Sequence, residues 1–272
     1  MEWNISINET GIIVILFFLI SLIYSSVGFG GGSSYAATLA LFAIPYIFIP
    51  QTALICNIIV VTGGTIIFLR KGYLKILTVL PFIIGSIPMA FIGGMIPVQK
   101  NIYLTILAVI LLISGIKIIF SEKFEQLWTK WISKKYESTR NFIIFDTGKI
   151  PFWSGIFLGM VVGLISGIVG IGGGILLSPV LHLMKWEKPK VISSISSFFI
   201  LVNSISGLLG QLYKSGFTLN FEFIYIPAIA VFLGGQIGSR LGAVTFSDIT
   251  IQRATAILLL FVSIRILWEI YF

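Results

Sequence analysis

The sequence predicts an all-α polytopic membrane protein of two inverted repeats, each with a Gly-rich break before a short helix. Three observations carry this: an apolar composition, a succession of membrane-length apolar runs, and an internal duplication. Of the 272 residues, 57% are hydrophobic and 10% charged, against roughly 25% charged in an ordinary soluble domain. A soluble fold of that composition would leave large apolar patches in water. The bilayer must therefore solvate most of the chain, which excludes a soluble enzyme, a disordered chain and a one-span anchor.

In chain order, the apolar runs are 11–28, 31–44, 51–69, 75–96 and 101–120, then 151–169, 174–184, 191–213, 220–243 and 250–271. The residues before the first run, MEWNISINETG, carry Glu2 and Glu9 and no Lys or Arg. A secretory signal needs a positive start and a small-residue cleavage site, so 11–28 is expected to be a retained membrane helix. A full crossing takes about 20 residues. Runs 31–44 and 174–184 fall short and read as half-helices or re-entrant segments.

The hydrophilic stretch 121–150 holds six basic and four acidic residues. It divides the chain into a first transmembrane repeat (1–120), a cytoplasmic linker and a second repeat (151–272). The linker reads as a solvated connector, with a lipid or regulatory contact through Trp128 and Trp131 as the alternative. The halves match. Val27-Gly28-Phe29-Gly30-Gly31-Gly32 corresponds to Val169-Gly170-Ile171-Gly172-Gly173-Gly174, Thr62-Gly63 to Ser206-Gly207, Pro81 to Pro227, and Lys117 to Arg265. Five segments per half, with both termini outside, put 15 cations inside and 3 outside; four crossings per half give 12 and 6. Positive charge favours the cytoplasmic side, so the odd number is expected, and an odd number inverts the second repeat.

The paired bends GFGGGSS (28–34) and GIGGGILLS (170–178) are the strongest candidates for chemistry. Glycine tolerates positive φ and close approach, and the first amides of each following helix lack intrahelical partners. Such helix starts attract anions. Gly30, Gly31, Gly32, Gly172, Gly173 and Gly174 are therefore candidate substrate-binding residues, with Ser33 and Ser34 as added donors. Tight helix packing is the plainer reading of a single such turn, but not of two in corresponding places. Of the polar residues inside the helices that follow, Asn57, Ser194 and Ser197 are the candidates for lining a path. Interhelical hydrogen bonding explains any one of them equally well.

No Asp or Glu falls in the middle of an apolar run. Cation carriers and proton relays usually need one there, so a neutral or anionic cargo is expected. One histidine, His182, and one cysteine, Cys56, leave no metal set, no cofactor and no disulfide framework. Arg240 reads as an interfacial anchor or an anion attractor at the cytoplasmic mouth. The net charge of +8 is assigned to topology, not nucleic acid, since no basic stripe is interleaved with aromatics.

At GLISGIVGIGGGILLSPVL, the LYKSG ending of the Ser-rich helix and GGQIGSRLG, the chain resembles the sulfite exporter TauE/SafE family of membrane permeases. The resemblance spans roughly 11–120 and 151–271. The first half departs from it, since GGSSYAATLALFAIP lacks the early Pro of GGILLSPVLHLM. The resemblance implies a transporter of the prokaryotic cytoplasmic membrane for sulfur-containing oxyanions or organosulfonates. The residues themselves reach only a small anion moved by alternating access through a multi-pass protein in a lipid bilayer. An anion channel and a membrane sensor or scaffold are the alternatives. Proton coupling, direction of transport and homo-oligomerisation stay open.

Overall fold

A computed structural model describes residues 7–26, 28–119, 152–183, 187–214, 221–241 and 248–271. The linker 121–150 and the His182 side chain lie outside the described residues. Within them the regular structure is helical: α1 (Ile7–Ser26), α2 (Gly32–Leu41), α3 (Phe48–Arg70), α4 (Ile76–Met95), α5 (Lys100–Ile119), α6 (Phe152–Val169), α7 (Gly174–Leu183), α8 (Pro189–Leu212), α9 (Phe221–Leu241) and α10 (Asp248–Tyr271). Every expected apolar run has its helix. α1 starts earlier than its apolar run because Glu9 sits favourably in the first turn, near the positive end of the dipole.

Among the described residues, five stretches are long and apolar enough to cross a membrane: Asn8–Ser26, Phe48–Arg70, Ile76–Met95, Phe152–Val169 and Lys190–Leu212. α2 and α7 have 10 residues each, so each rises about 15 Å, roughly half of a hydrocarbon core. The burial pattern is that of a bundle solvated by lipid. Leu77, Trp153, Phe157, Ile257 and Trp268 face outward, whereas Thr52, Asn57, Ser86, Ser166, Ser196 and Ser204 are fully buried.

The helices pack across the two halves. α4 lies along α6, and α1 along α9. Gly155, Gly159, Gly163 and Gly167 recur every fourth residue on α6, which puts them on one face. A Cβ at Gly159, Gly163 or Gly167 would strike the backbone of Phe82, Ser86 or Ala90 on α4. Both series of numbers rise together, so the two helices run parallel. Gly234 and Gly238 of α9 meet Phe18 and Leu22 of α1 in the same parallel sense. Lipid gives helices no hydrophobic reason to associate, so this close backbone approach supplies the attraction.

α3 and α8 cross at the centre. Leu54 lies by Gly207, Thr65 bonds Ser197 Oγ at 3.0 Å, and Ser194 Oγ donates to Tyr73 O at 3.0 Å. One series rises as the other falls, so these two corresponding helices are antiparallel. α8 runs parallel to α4, since Ser206 Oγ donates to Ile87 O at 2.6 Å and Gly210 abuts Phe91. α10 packs on α5, with Ser263 Oγ donating to Ala108 O at 2.9 Å, and also on α2.

Gly163→Val is expected to destabilise the protein by about 1–3 kcal/mol, because its branches would enter the Ser86 backbone. Gly11→Ala, whose Cβ meets nothing within 4 Å, is expected to be neutral. Thermal unfolding of both variants in detergent checks the pair, and equal melting temperatures would contradict the α4–α6 contact.

Candidate functional site: two glycine bends meeting at Asn57

α1 ends at Ser26 and α2 begins at Gly32. Between them Gly31 adopts φ 89°, a left-handed conformation, and serves as the N-cap without any side-chain cap. The Ser34 and Tyr35 amides both bond to Gly31 O. The second bend repeats this. Gly173 has φ 75°, and the Leu176 and Leu177 amides bond to its carbonyl. In both places the next two amides, of Gly32 and Ser33 and of Gly174 and Ile175, have no backbone carbonyl partner.

The two bends touch. A Cβ on Gly32 would lie 2.8 Å from Ile171 O, and one on Gly174 would lie 3.8 Å from the Phe29 ring. Gly32 corresponds to Gly174 and Phe29 to Ile171, so the contact is reciprocal. Asn57, midway along α3, fills the junction. Its amide abuts Gly30 and Gly32 of one bend and lies 2.8 Å from the Cβ position of Gly172 on the other. Ser204 Oγ lies 2.9 Å from that same position. Both short helices thus begin about halfway along the central pair α3 and α8, with their positive dipole ends aimed at one place.

The junction is polar and unsatisfied. Asn57 is fully buried, and neither its Nδ2 nor its Oδ1 has a hydrogen-bond partner; Ser204 Oγ and Ser166 Oγ are likewise unpaired. Orphaned buried polar groups are uncommon and call for an explanation. No Lys, Arg, His, Asp or Glu is buried among the described residues. The opposite end of α2 is compensated at the surface, where Arg265 Nη1 donates to Leu41 O at 2.7 Å. Near the second bend, Lys214 Nζ donates to Gln211 Oε1 at 3.3 Å, and Gln211 Nε2 to Gly167 O at 3.5 Å. Partial burial holds the Lys214 pKa below its usual value.

The candidates named from sequence separate into two groups. Gly30, Gly31, Gly32, Gly172, Gly173, Gly174 and Asn57 come together at the junction, and all are buried. Ser33 is buried beside them, and Ser34 Oγ is bonded to Tyr24 OH at 2.8 Å. Ser194 and Ser197 lie elsewhere. Ser194 Oγ donates to Val191 O and Tyr73 O, and Ser197 pairs with Thr65, so both tie α3 to α8. Ser204 was not among the candidates. The signal for it is an asymmetry between the halves: where Val61 faces Gly30, Ser204 faces Gly172, and where Asn57 faces Gly30, Ile200 faces Gly172.

The profile described as sulfite exporter TauE/SafE matches residues 13–266. The chain belongs to the sulfite exporter TauE/SafE family. It is 29% identical over 256 residues to a probable membrane transporter protein, y4hK, of Sinorhizobium fredii, covering 94% of this chain and 97% of that one. It is 25% identical over 276 residues to the probable membrane transporter protein YunE of Bacillus subtilis, covering 95% and 97%. No solved structure matches the chain. As a TauE/SafE member with five membrane-length helices among its described residues, it is a multi-pass protein of a membrane transporter family.

Asn57→Leu removes an unpaired buried amide at nearly constant volume. Without ligand it is expected to stabilise the protein by about 1–3 kcal/mol, read as a raised melting temperature in anion-free buffer. A clear fall would show that the amide is satisfied in the resting protein.

Proposed function

We propose that the chain is a permease of the cytoplasmic membrane that moves a small anion, a sulfur-containing oxyanion or organosulfonate, by alternating access. The observation that carries the proposal is the meeting of two uncapped helix starts at an unpaired, fully buried amide. Helix starts are ready anion sites, and interrupted helices of two related halves commonly form the substrate site of a transporter. Gly30, Gly31, Gly32, Gly172, Gly173 and Gly174 shape the site. Asn57 and Ser204 add side-chain groups, Ser33 an amide, and Ser34 stays tied to Tyr24. Ser194 and Ser197 act at the α3–α8 contact, along which the halves would slide. The sulfur chemistry of the cargo rests on the family's description.

The halves act as inverted repeats. Support comes from helix directions: α3 and α8 occupy corresponding places and run antiparallel, whereas repeats of the same sense would point them the same way. The glycines of both bends are all buried, which favours an occluded carrier over an open channel. The lack of a buried carboxylate among the described residues disfavours a cation cargo.

In proteoliposomes, Gly31→Val and Gly173→Val are each expected to abolish flux of sulfite, thiosulfate and sulfonates, because a branched side chain at positive φ would disorder the junction. Helix content by circular dichroism should stay unchanged. Normal flux in both folded variants would overturn the site.

A further inference from the structure

We infer that the site selects a singly charged anion that carries its own hydrogen-bond donor, a monoprotonated oxyanion in place of a fully ionised one, and that Asn57 makes the choice. This rests on the anion site proposed above and narrows its substrate class.

The junction offers acceptors as well as donors. The amides of Gly32, Ser33, Gly174 and Ile175 can only donate. Asn57 presents one NH2 group and one carbonyl oxygen, both buried and unpaired, and whichever way the amide is turned one of its atoms accepts. The carbonyl of Ile171, facing Gly32, receives no backbone hydrogen bond either. A fully ionised oxyanion has lone pairs only. It would leave these acceptors unsatisfied and press its charge against them. A monoprotonated oxyanion gives its O–H to an acceptor and takes the amide hydrogens with its bare oxygens. Charge points the same way. The desolvation cost of an ion rises with the square of its charge, and no buried cation among the described residues offsets a second negative charge. The amide has no counterpart in the other half, since Gly174 faces Ile200 where Gly32 faces Asn57.

Among the described residues, no carboxylate, lysine, arginine or histidine side chain is buried at the junction. The titratable side chains on the elements around the bends are Tyr24 of α1, Tyr35 of α2, Cys56 of α3 and Tyr103 of α5, whose hydroxyl donates to Val169 O at 3.2 Å, with Lys214, just past the end of α8, held on Gln211 Oε1. These types ordinarily ionise above neutral pH. Glu187, Lys188 and Lys190 at the start of α8 are at least partly solvent-exposed, and His182 lies toward the far end of α7. The cargo therefore brings its proton with it, and no carboxylate relay is required.

The test is isothermal titration of the purified full chain with sulfite, sulfate and methanesulfonate at a series of pH values. Sulfite affinity is expected to fall about tenfold per pH unit above its second ionisation, tracking the monoanion. Methanesulfonate, singly charged but without a donor, is expected to bind at least about tenfold more weakly than hydrogen sulfite, with no pH dependence, and sulfate more weakly still. In Asn57→Leu, checked for folding by its melting temperature, the ratio of hydrogen sulfite to methanesulfonate affinity should fall towards one. Methanesulfonate matching hydrogen sulfite in the unaltered protein, or sulfate matching either, would overturn this inference and leave the anion site standing. Failure of all three anions to bind would overturn both.

Discussion

A backbone amide in a hydrocarbon-embedded bundle has no water to bond, so each one needs an acceptor or must line a place where one can come. The TauE/SafE chain breaks its helices twice at corresponding points, and both breaks leave amides unpaired. Such breaks are tolerable only away from lipid. The fold meets this by bringing them together between α3 and α8, where Gly32 of one bend abuts Ile171 of the other and Gly174 abuts Phe29. The glycines follow from the same constraint, since a side chain at Gly31 or Gly173 would be strained at positive φ, and one at Gly32 would strike Ile171 of the other bend.

The rest of the bundle positions that junction. Close glycine contacts hold α6 along α4 and α1 along α9, so each bend hangs from a helix anchored in the opposite half. α3 and α8 cross between these pairs and carry the junction's side chains, Asn57 and Ser204. Arg265 compensates the carbonyl end of α2 at the surface, which leaves the amide end as the helix's uncompensated pole inside the protein. A surface contact between the halves adds the exposed Lys75–Glu187 ion pair at 3.1 Å, worth little by itself.

Much of this was legible in the sequence because membrane helices advertise themselves by length and composition. The short runs 31–44 and 174–184 became the ten-residue α2 and α7, and the duplicated glycines named the bends. What could not be read was distance. Nothing in the local pattern around Asn57 says that it reaches both bends, because that depends on how α3 crosses the other half. Ser194 and Ser197 looked equivalent to it as polar residues on long apolar helices, yet they spend their hydroxyls on Tyr73, Val191 and Thr65. Ser204 was one of several polar residues on α8, and nothing in the local pattern set it apart; only the fold brings it to Gly172. The four glycines of α6 show their purpose only once α4 is seen to lie against them.

The central claim, that the two bends form one anion site, is tested most directly by an experimental structure of the protein soaked with selenite, whose selenium can be located by anomalous scattering. The account predicts one selenium peak between α2 and α7, within hydrogen-bonding reach of the Gly32 and Gly174 amides, with Asn57 turned toward it. A peak confined to the surface near Arg240 or Lys214, with the junction still filled by the Asn57 amide at saturating selenite, would contradict it.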